Sequence, residues 1–332
     1  MLISVVMAVY NGELYLQEAI DSILQQTYPE FEFIIVNDGS TDKTIQILND
    51  IQDPRVRLIH LPKNVGAASA LNRGIQEAEG KWIAIQDADD LSYPSRLKEQ
   101  ISYVKDHPGI AAVGTLRKCI SGRNEIPKKR LRTEEFSNYL VSGEHLRAYR
   151  FYINPLCHGS VLFSKEIFKK IGGYDPSYKI CYDYDLWIRM LEVGSIHKIN
   201  KVLYHYRIHP ESISRKKQPY NEDWLVASTH IKKIAKKQYH DTRDPVFLVI
   251  GNSNACNEFK QICSLSKLKV DCYLQSTDSG TLEAIHQLIK KQLIDSVILL
   301  EGIQYLSIFQ ALEEKGMEWN RNLFKIWAGY WN

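Results

Sequence analysis

Residues 82–90 read Trp-Ile-Ala-Ile-Gln-Asp-Ala-Asp-Asp, a short apolar strand pattern that runs directly into three carboxylates. Similar strand patterns precede it at residues 3–9, 31–36 and 56–61, and helical apolar spacing fills the intervals between them. Turn-forming Asn, Asp, Gly and Ser residues end these strands. Alternating strand and helix patterns predict an α/β fold, with a Rossmann-like, largely parallel sheet flanked by helices on both faces.

The composition of the chain is that of a folded protein without membrane spans. It has 332 residues, of which 44% are hydrophobic and 24% are charged, so it can bury a core. The longest apolar run is far shorter than the roughly 20 residues of a membrane span. The N-terminus lacks the features of a signal peptide, and the six cysteines form no C-x-x-C pair. We expect a cytoplasmic protein whose net charge of +3 is too small to indicate a nucleic-acid partner.

Polar residues at the strand ends form the candidate site, because ligands of open α/β sheets bind beside the carboxyl ends of the strands. Asp87 and Asp89, two positions apart on a loop, can face one hard divalent cation, which prefers oxygen ligands. The alternative for this pair is ordinary turn chemistry. Asp38 can accept hydrogen bonds from a base or ribose, or can belong to a simple turn between a strand and a helix.

Two further constellations follow later in the chain. Asp183, in a second D-x-D, can be a general base beside aromatic groups or the N-cap of an amphipathic helix. Arg207 and His209 can contact phosphate or metal, although surface or core positions are the commoner use of such residues.

Beyond residue 215 the pattern changes. Residues 216–243 are predicted to form a basic helical linker, and residues 244–332 a small Rossmann-like α/β domain of unknown role. This domain lacks a G-x-G-x-x-G motif, so no cofactor is predicted for it. The aromatic tail is interpreted as packing or an interface. It comprises Trp319, Phe324, Trp327, Tyr330 and Trp331. Basic stretches stand out at residues 123–132 and 231–237, and the second is either a solvated helix face or a membrane-surface contact.

Ordered short motifs run from residue 2 to about residue 215, and as a set they resemble the family 2 glycosyltransferases, which have the GT-A fold. These motifs are Ser4-Val-Val-Met-Ala-Val-Tyr-Asn-Gly12, Gln26-Thr27, Val36-Asn-Asp-Gly-Ser-Thr-Asp42, Asn64-x-Gly66, Leu71-Asn-x-Gly74, Gly80, Asp87-Ala-Asp-Asp90, Pro94-x-Arg96-Leu97, His158-x-Ser160, Gly172-Gly-Tyr-Asp175, Asp183-Tyr-Asp-Leu-Trp187 and Tyr206-Arg-x-His209.

The resemblance implies a nucleotide-diphosphate sugar donor, with a UDP-sugar favoured, a Mn²⁺ or Mg²⁺ ion, and inversion at the anomeric carbon. It implies that the nucleotide-sugar is bound by Val9, Tyr10, Asn11, Asp38, Asn72, Asp87, Ala88 and Arg207. It implies metal ligation by Asp89, Asp87 and His209, and acceptor contacts by His158 and Trp187. Asp183 matches the catalytic base, with Asp185 in reserve. The acidic residue that usually precedes the base is Tyr182 here.

The residue types agree with this chemistry independently. Direct displacement needs one base for the acceptor hydroxyl, and it needs no acid if a metal neutralises the departing diphosphate. The Q-x-x-R-W motif of processive synthases is absent, so transfer of single sugars is expected. The function predicted is transfer to a hydroxyl of a glycan or lipid-linked glycan acceptor in bacterial surface polysaccharide synthesis, at the inner face of the membrane.

Two alternatives stay open. A sugar-nucleotidyltransferase would carry a glycine- and basic-rich phosphate loop after the first strand, where this chain has Tyr10-Asn11-Gly12-Glu13. A scaffold subunit would bind nucleotide without turnover, and Tyr182 and the extra domain suggest it. Peripheral membrane contact through residues 216–237 and a homo-oligomer are further hypotheses about partners.

Overall fold

The structure, a computed structural model, describes residues 1–123, 125–212, 219–238, 243–274, 279–291, 293–301 and 306–327. The chain divides into two compact units. The first comprises Met1–Arg147 and Pro155–Lys216, and the second comprises Ala148–Asn154 and Lys217–Asn332. The second unit thus takes seven residues from the middle of the first.

The first unit contains one sheet of eight strands. In chain order these are β1 (Ile3–Val9), β2 (Phe31–Asn37), β3 (Val56–His60), β4 (Trp82–Ile85), β5 (Leu91–Ser92), β6 (Ile110–Ser121), β7 (Leu162–Ser164) and β8 (Ser195–Ile208). Their order across the sheet is β3-β2-β1-β4-β7-β6-β8-β5. The first four run parallel, whereas β7 and β5 are antiparallel to their neighbours. The sheet is therefore mixed, as expected of the predicted fold class.

Helices cover both faces of this sheet. They are α1 (Leu16–Leu24), α2 (Thr44–Asn49), α3 (Ala67–Glu77), α4 (Arg96–Asp106), α5 (Lys128–Tyr139), α6 (Gly143–Ala148), α7 (Lys165–Lys170) and α8 (Tyr182–Val193). Leu16 and Ile20 of α1 join the core that contains Val5 of β1. On the opposite face α3 approaches so closely that a Cβ on Gly74 would lie 2.7 Å from Val6 Cγ1. Alternate residues of β1 thus face different helices, as strand geometry requires.

The parallel register brings the first strand ends to one edge. Val9, at the end of β1, lies opposite Asn37, at the end of β2, and Val6 lies opposite Ile85, at the end of β4. The polar loops that follow these strands therefore lie together, as the sequence predicts.

The pattern of apolar residues in the sequence does not predict the long strands β6 and β8. They pair in parallel, and the pairing shifts register between Ile110 and Ala112, and twice between Thr115 and Arg117. Such bulges interrupt the alternation of buried and exposed side chains on which strand prediction depends. Residues 110–121, for which the sequence predicts no strand, form a strand in the interior of the sheet.

The second unit is a parallel sheet of four strands. Its elements are α9 (Glu222–Gln238), β9 (Phe247–Ile250), α10 (Ser253–Ser266), β10 (Val270–Leu274), α11 (Ser279–Lys290), β11 (Ser296–Glu301), α12 (Leu306–Glu314) and β12 (Leu323–Trp327), with the strand order β10-β9-β11-β12. The small C-terminal α/β unit that the sequence predicts is therefore present. Part of the aromatic tail is the unpredicted edge strand β12, while Tyr330 and Trp331 lie outside the described residues.

Two segments pack closely within the second unit. In α9 the indole Nε1 of Trp224 donates to the carbonyl of Trp327 at 2.7 Å. The segment Ala148–Asn154 contacts side chains of β12 and of the turn before it. Its contacts are Asn320 Nδ2 to the Ala148 carbonyl at 2.8 Å, and ring pairs Tyr149–Trp319, Phe151–Phe324 and Tyr152–Trp327 with centroids 5.1, 6.0 and 5.2 Å apart.

Within the described part of the chain, none of the helices has the length and apolar character needed to span a membrane.

Candidate active site

The acidic loop after β4 is held from beneath by a buried polar network. Gln86 Nε2 donates to the carbonyls of Asp87 and Asp90 at 3.0 and 2.9 Å. Arg96, fully buried, donates from Nη1 to Gln86 Oε1 at 3.2 Å and from Nη2 to the Ile85 carbonyl at 2.7 Å. Burial lowers the pKa of Arg96 to about 10, so its guanidinium stays charged at neutral pH. The loop is therefore fixed before any ligand binds.

The three carboxylates of this loop have different environments. Asp90 is fully buried, and its Oδ1 accepts from the Arg207 backbone N–H at 2.6 Å. Burial and the charges of Asp89 and Asp87 hold the pKa of Asp90 well above its usual range. The side chains of Asp87 and Asp89 are 30% and 34% exposed. The loop thus keeps one carboxyl group for the interior and presents two at the surface.

Asp89 meets His209 across the site. Asp89 Oδ2 and His209 Nε2 are 2.7 Å apart, and the other ring nitrogen lies 3.0 Å from Glu211 Oε2. The hydrogen bond to Asp89 raises the pKa of His209, and Glu211 adds to this, against the opposing effect of burial. Two predicted metal ligands, one in the loop after β4 and one directly after β8, are thus brought together. No cluster of three or more His, Cys, Asp or Glu side chains suited to a metal occurs in the described ranges.

Asp87 faces the other way, towards His158. Its Oδ1 lies 3.1 Å from His158 Nδ1, and His158 Nε2 lies 2.9 Å from the Tyr174 hydroxyl. Burial by itself lowers the pKa of His158, but Asp87 and the charge of Asp183 outweigh it, so the pKa is raised. His158 therefore joins the acidic loop electrostatically to the carboxylate that the sequence singles out as a base.

The two acidic candidates on α8 have different surroundings. Asp183 lies in the first turn, where the helix dipole favours a negative charge, and its Oδ1 accepts from the Tyr184 backbone N–H at 2.7 Å. Asp185 Oδ2 accepts from Arg189 Nε and Nη2 at 2.9 and 2.5 Å. The same guanidinium donates to the carbonyls of Ile171 and Gly173. Asp185 is therefore part of a structural ion pair that ties α8 to the preceding loop.

Trp187, predicted on the acceptor side, is fully buried. Its ring lies 6.0 Å from Phe163 and 6.4 Å from His158, centroid to centroid. The indole is part of the core behind His158 and has no surface for an acceptor. The prediction of an acceptor contact by Trp187 is corrected here, because its position on α8 faces the sheet.

Asp38 is almost fully buried and already accepts two hydrogen bonds. Its Oδ1 and Oδ2 accept from the backbone N–H groups of Val65 and Gly66 at 2.8 and 3.0 Å, just before α3. Its own N–H donates to the Val9 carbonyl at 2.8 Å. The carboxylate thus fixes the loop beside the strand ends, and its remaining lone pairs are the ones that a ligand could use.

Tyr10 and Asn11 follow β1 at the same edge. Tyr10 is 46% exposed. Asn11, with a φ of 53°, accepts from the Thr41 backbone N–H at 2.8 Å and takes a hydrogen bond from its hydroxyl. Asn11 therefore braces two strand-end loops against each other, while the Tyr10 ring is open to a ligand.

Asn72 and Ala88 have packing roles in this structure. The Asn72 amide donates to the Tyr174 carbonyl at 2.8 Å and accepts from its N–H at 3.0 Å. It thereby fastens to α3 the segment that carries the Tyr174 hydroxyl. Ala88 packs against the core of the first unit.

Arg207 is a buried cation with three kinds of contact. Its Nε donates to the Asp89 carbonyl at 2.7 Å and its Nη2 to Glu18 Oε2 at 2.8 Å. Its Cζ lies 4.6 Å from the centroid of the Tyr15 ring. Arg207 is therefore placed beneath the acidic loop by a residue of α1, which sequence reasoning did not identify.

Tyr204 is a second residue that sequence reasoning missed. Its hydroxyl accepts from the Asp87 backbone N–H at 3.3 Å. Gly159 lies so close that an added Cβ would be 1.8 Å from this hydroxyl and 2.7 Å from Asp87 Oδ2. The glycine within the His158-x-Ser160 motif was the available signal, because a close approach is one reason for a glycine.

Comparison with known proteins agrees with this architecture. Residues 4–172 match the model of glycosyl transferase family 2. An uncharacterised glycosyltransferase of Rickettsia typhi is 34% identical over 247 residues, which are 71% of this chain and 74% of the relative. Another, from Haemophilus influenzae, is 28% identical over 300 residues, 88% and 91% of the two chains.

Among solved structures, S. aureus TarS 1-349 in complex with UDP-GlcNAc superimposes with a TM-score of 0.57 at 20% identity. The match covers 70% of this chain and 66% of that chain, and at this identity it shows the shared fold. The extent of the family match and the close Rickettsia relative together establish that the chain is a member of glycosyl transferase family 2 with the GT-A fold.

Proposed function

We propose that the chain is an inverting, metal-dependent glycosyltransferase that moves one sugar from a nucleotide-diphosphate sugar to a hydroxyl of a glycan or lipid-linked glycan. One observation carries the proposal. Asp87 and Asp89 are presented at the strand ends, whereas Asp183 lies on another element and influences this cluster through His158. A metal and diphosphate pole and a separate base are what direct displacement requires.

The donor proposed first is a UDP-sugar. The TarS structure contains UDP-GlcNAc, which supports UDP as the nucleotide to test before GDP or dTDP. The exposed ring of Tyr10 and the carboxylate of Asp38 would contact the nucleoside at the sheet edge. Arg207 would face the diphosphate from beneath the acidic loop.

A Mn²⁺ or Mg²⁺ ion fits the residues present. Asp89 and His209, already in contact at 2.7 Å, offer one oxygen and one nitrogen, and Asp87 offers a second carboxylate. So small a ligand set suits a cation that completes its shell with substrate phosphates and water, as Mg²⁺ commonly does. When bound, the ion supplies Lewis-acid neutralisation of the departing diphosphate. Since Nε2 of His209 donates to the Asp89 carboxylate in this pair, it must lose that proton to become a ligand.

Asp183 would perform the proton transfer. Its carboxylate accepts the proton of the attacking acceptor hydroxyl as the new bond to the anomeric carbon forms. Attack on the face opposite the leaving group inverts that carbon. Asp185, engaged by Arg189, would keep α8 in place for this step. His158 would orient Asp87 towards the donor.

The remaining assignments stay proposals supported by the family resemblance. We retain a catalytic domain at residues 1–215, a basic helical linker at residues 216–243 and a C-terminal domain at residues 244–332. We place the reaction in bacterial surface polysaccharide synthesis on the cytoplasmic side of the membrane.

The test is donor hydrolysis and donor binding across UDP-, GDP- and dTDP-sugars with Mn²⁺ or Mg²⁺. Wild type is compared with Asp89→Ala and Asp183→Asn, and Asp106→Asn on the exposed end of α4 is the matched control. We expect one donor to be consumed by wild type and by the control alone, with binding retained in Asp183→Asn. Nucleotide binding without turnover under every condition would instead favour the scaffold alternative.

A further inference from the structure

A basic cluster of five side chains borders the candidate site. We call this cluster the basic rim. It consists of the side chains of Arg123, Lys128, Lys129, Arg130 and Arg132. Residues 123–132 contain these five cations and a single carboxylate, that of Glu125. This stretch therefore carries more positive charge than the formal +3 of the whole chain. The rest of the chain is close to neutral, which makes the rim a local feature.

The rim is anchored next to the metal end of the site. Immediately before it, the Gly122 N–H donates to the Ile208 carbonyl at 3.0 Å, and a Cβ on Gly122 would lie 2.9 Å from His209 Cβ. Helix α5 is fastened to β6, since the Asn138 amide accepts from the Arg117 N–H at 3.1 Å and donates to its carbonyl at 2.7 Å. The start of the rim is therefore fixed beside His209, and α5, which carries the other four cations, is fixed to β6.

Packing within the first unit does not account for the composition of α5. Ser137 is the one buried residue of this helix, and Leu131 and Tyr139 are 40% and 72% exposed. The ion pairs found among the described residues do not include Lys128, Arg130 or Arg132. The apolar and cationic side chains of α5 are not segregated onto opposite faces, so what this helix offers a partner is positive charge rather than an apolar stripe.

We propose that the basic rim docks the first unit on an anionic lipid surface. Lysine and arginine near an anionic leaflet each add to binding, so the cations of the basic rim supply the attraction. Docking would bring the edge that carries His209 to the membrane. With the proposed function, a lipid-linked acceptor would then meet the site at the surface in which it is anchored.

The lysines of α9 offer a natural comparison. Sequence analysis places the membrane contact at residues 216–237, of which residues 216–218 lie outside the described ranges. Within α9, Lys236 pairs with Asp244 at 3.5 Å and Lys232 donates to the Lys267 carbonyl. These lysines therefore have partners within the second unit, and charge complementarity favours the rim.

The test is co-sedimentation of the full chain with phosphatidylcholine vesicles that contain roughly a third phosphatidylglycerol, against pure phosphatidylcholine vesicles. The rim variant is Lys128→Gln/Arg130→Gln/Arg132→Gln, and the matched control is Lys232→Gln/Lys233→Gln/Lys237→Gln. We expect wild type to bind the anionic vesicles only, the rim variant to bind at least tenfold more weakly, and the control to bind within twofold of wild type. Melting temperature and donor hydrolysis without vesicles report whether each variant is folded.

Several results would overturn the proposal. These are equal binding by the rim variant, loss of binding in the α9 control alone, and no binding of wild type to anionic vesicles. Binding of wild type to soluble inorganic polyphosphate but not to vesicles would point to a soluble polyanion as the partner. Donor hydrolysis without vesicle binding refutes the docking alone, whereas vesicle binding without any donor hydrolysis refutes the proposed function alone.

Discussion

Replacing Asp185 by asparagine is expected to weaken the fold while leaving the chemistry in place, and replacing Asp183 is expected to do the reverse. Asp185 and Arg189 are 5% and 19% exposed and share two hydrogen bonds on one carboxylate oxygen. Breaking a buried pair costs about 3–5 kcal/mol, and the lower figure applies because the amide still accepts one hydrogen bond. About 3 kcal/mol corresponds to a melting temperature lower by roughly 6–12 °C for a unit of this size.

Asp183→Asn removes the proposed base and keeps its shape. The turnover number should fall about 10²–10⁴-fold, the usual contribution of a general base, with donor affinity and melting temperature nearly unchanged. The assays are nucleotide release with saturating donor and acceptor, and thermal unfolding followed by fluorescence. Asp53→Asn is the matched control, because Asp53 and Arg55 form a comparable pair at 2.7 Å that is 23% and 32% exposed. It should cost about 1 kcal/mol or less.

The opposite pattern would refute the assignment. If Asp185→Asn abolished turnover at an unchanged melting temperature while Asp183→Asn stayed active, then Asp185 would be the base and the Arg189 pair would be a means of tuning it. A loss of turnover in both variants without any change in stability would show that the ion pair positions the reaction rather than the fold.

Three further predictions concern other contacts of the site. Gly159→Ala should reduce donor turnover and cost about 1–3 kcal/mol of stability through overpacking, because its Cβ would overlap a tyrosine hydroxyl and Asp87; an alanine variant with wild-type turnover would contradict the packing described. The folded-state pKa of His158 is raised above 6.5, so its stabilisation is complete below that pH and is lost as the pH rises through the folded-state value. Chelated wild type should therefore lose unfolding free energy relative to His158→Gln as the pH rises above 6.5, and parallel profiles in urea denaturation would argue against this. Glu18→Gln should raise the donor KM several-fold with little change in kcat, since Arg207 would lose the carboxylate that positions it; an unchanged KM would show that Arg207 needs no such support.

Sequence alone predicts the part of the fold and site that strand ends define. The carboxylates at residues 87 and 89 and the loop around Asp38 follow buried strands with clear patterns, and parallel pairing brings such loops to one edge. His209 follows directly after β8, a strand whose register shifts hide it from pattern analysis, and only a short motif indicates His209. The contact between His209 and Asp89 joins residues 120 positions apart, which no local spacing encodes.

The rest depends on which side chain reaches which partner. Asp183 and Asp185 are the same residue type in the first turn of one helix. Their surroundings differ because Arg189, one turn later, donates to Asp185 and to two carbonyls. The resemblance places Trp187 on the acceptor side, yet its helical position faces the core. The sequence assigns no role to Arg96, which is part of a short motif, because the burial of a charged residue cannot be inferred from composition.

The seven residues that the second unit takes from the middle of the chain impose an order on biosynthesis. Phe151 leaves the ribosome well over a hundred residues before its ring partner Phe324, which at about 5–20 residues per second is a delay of roughly ten seconds or more. Until then the aromatic side chains of this segment lack their ring partners Trp319, Phe324 and Trp327. A gene fragment that begins at residue 217 would lack residues 148–154 altogether. The second unit is therefore not a transplantable cassette, and a hybrid enzyme made by exchanging C-terminal halves would need to exchange residues 148–154 as well.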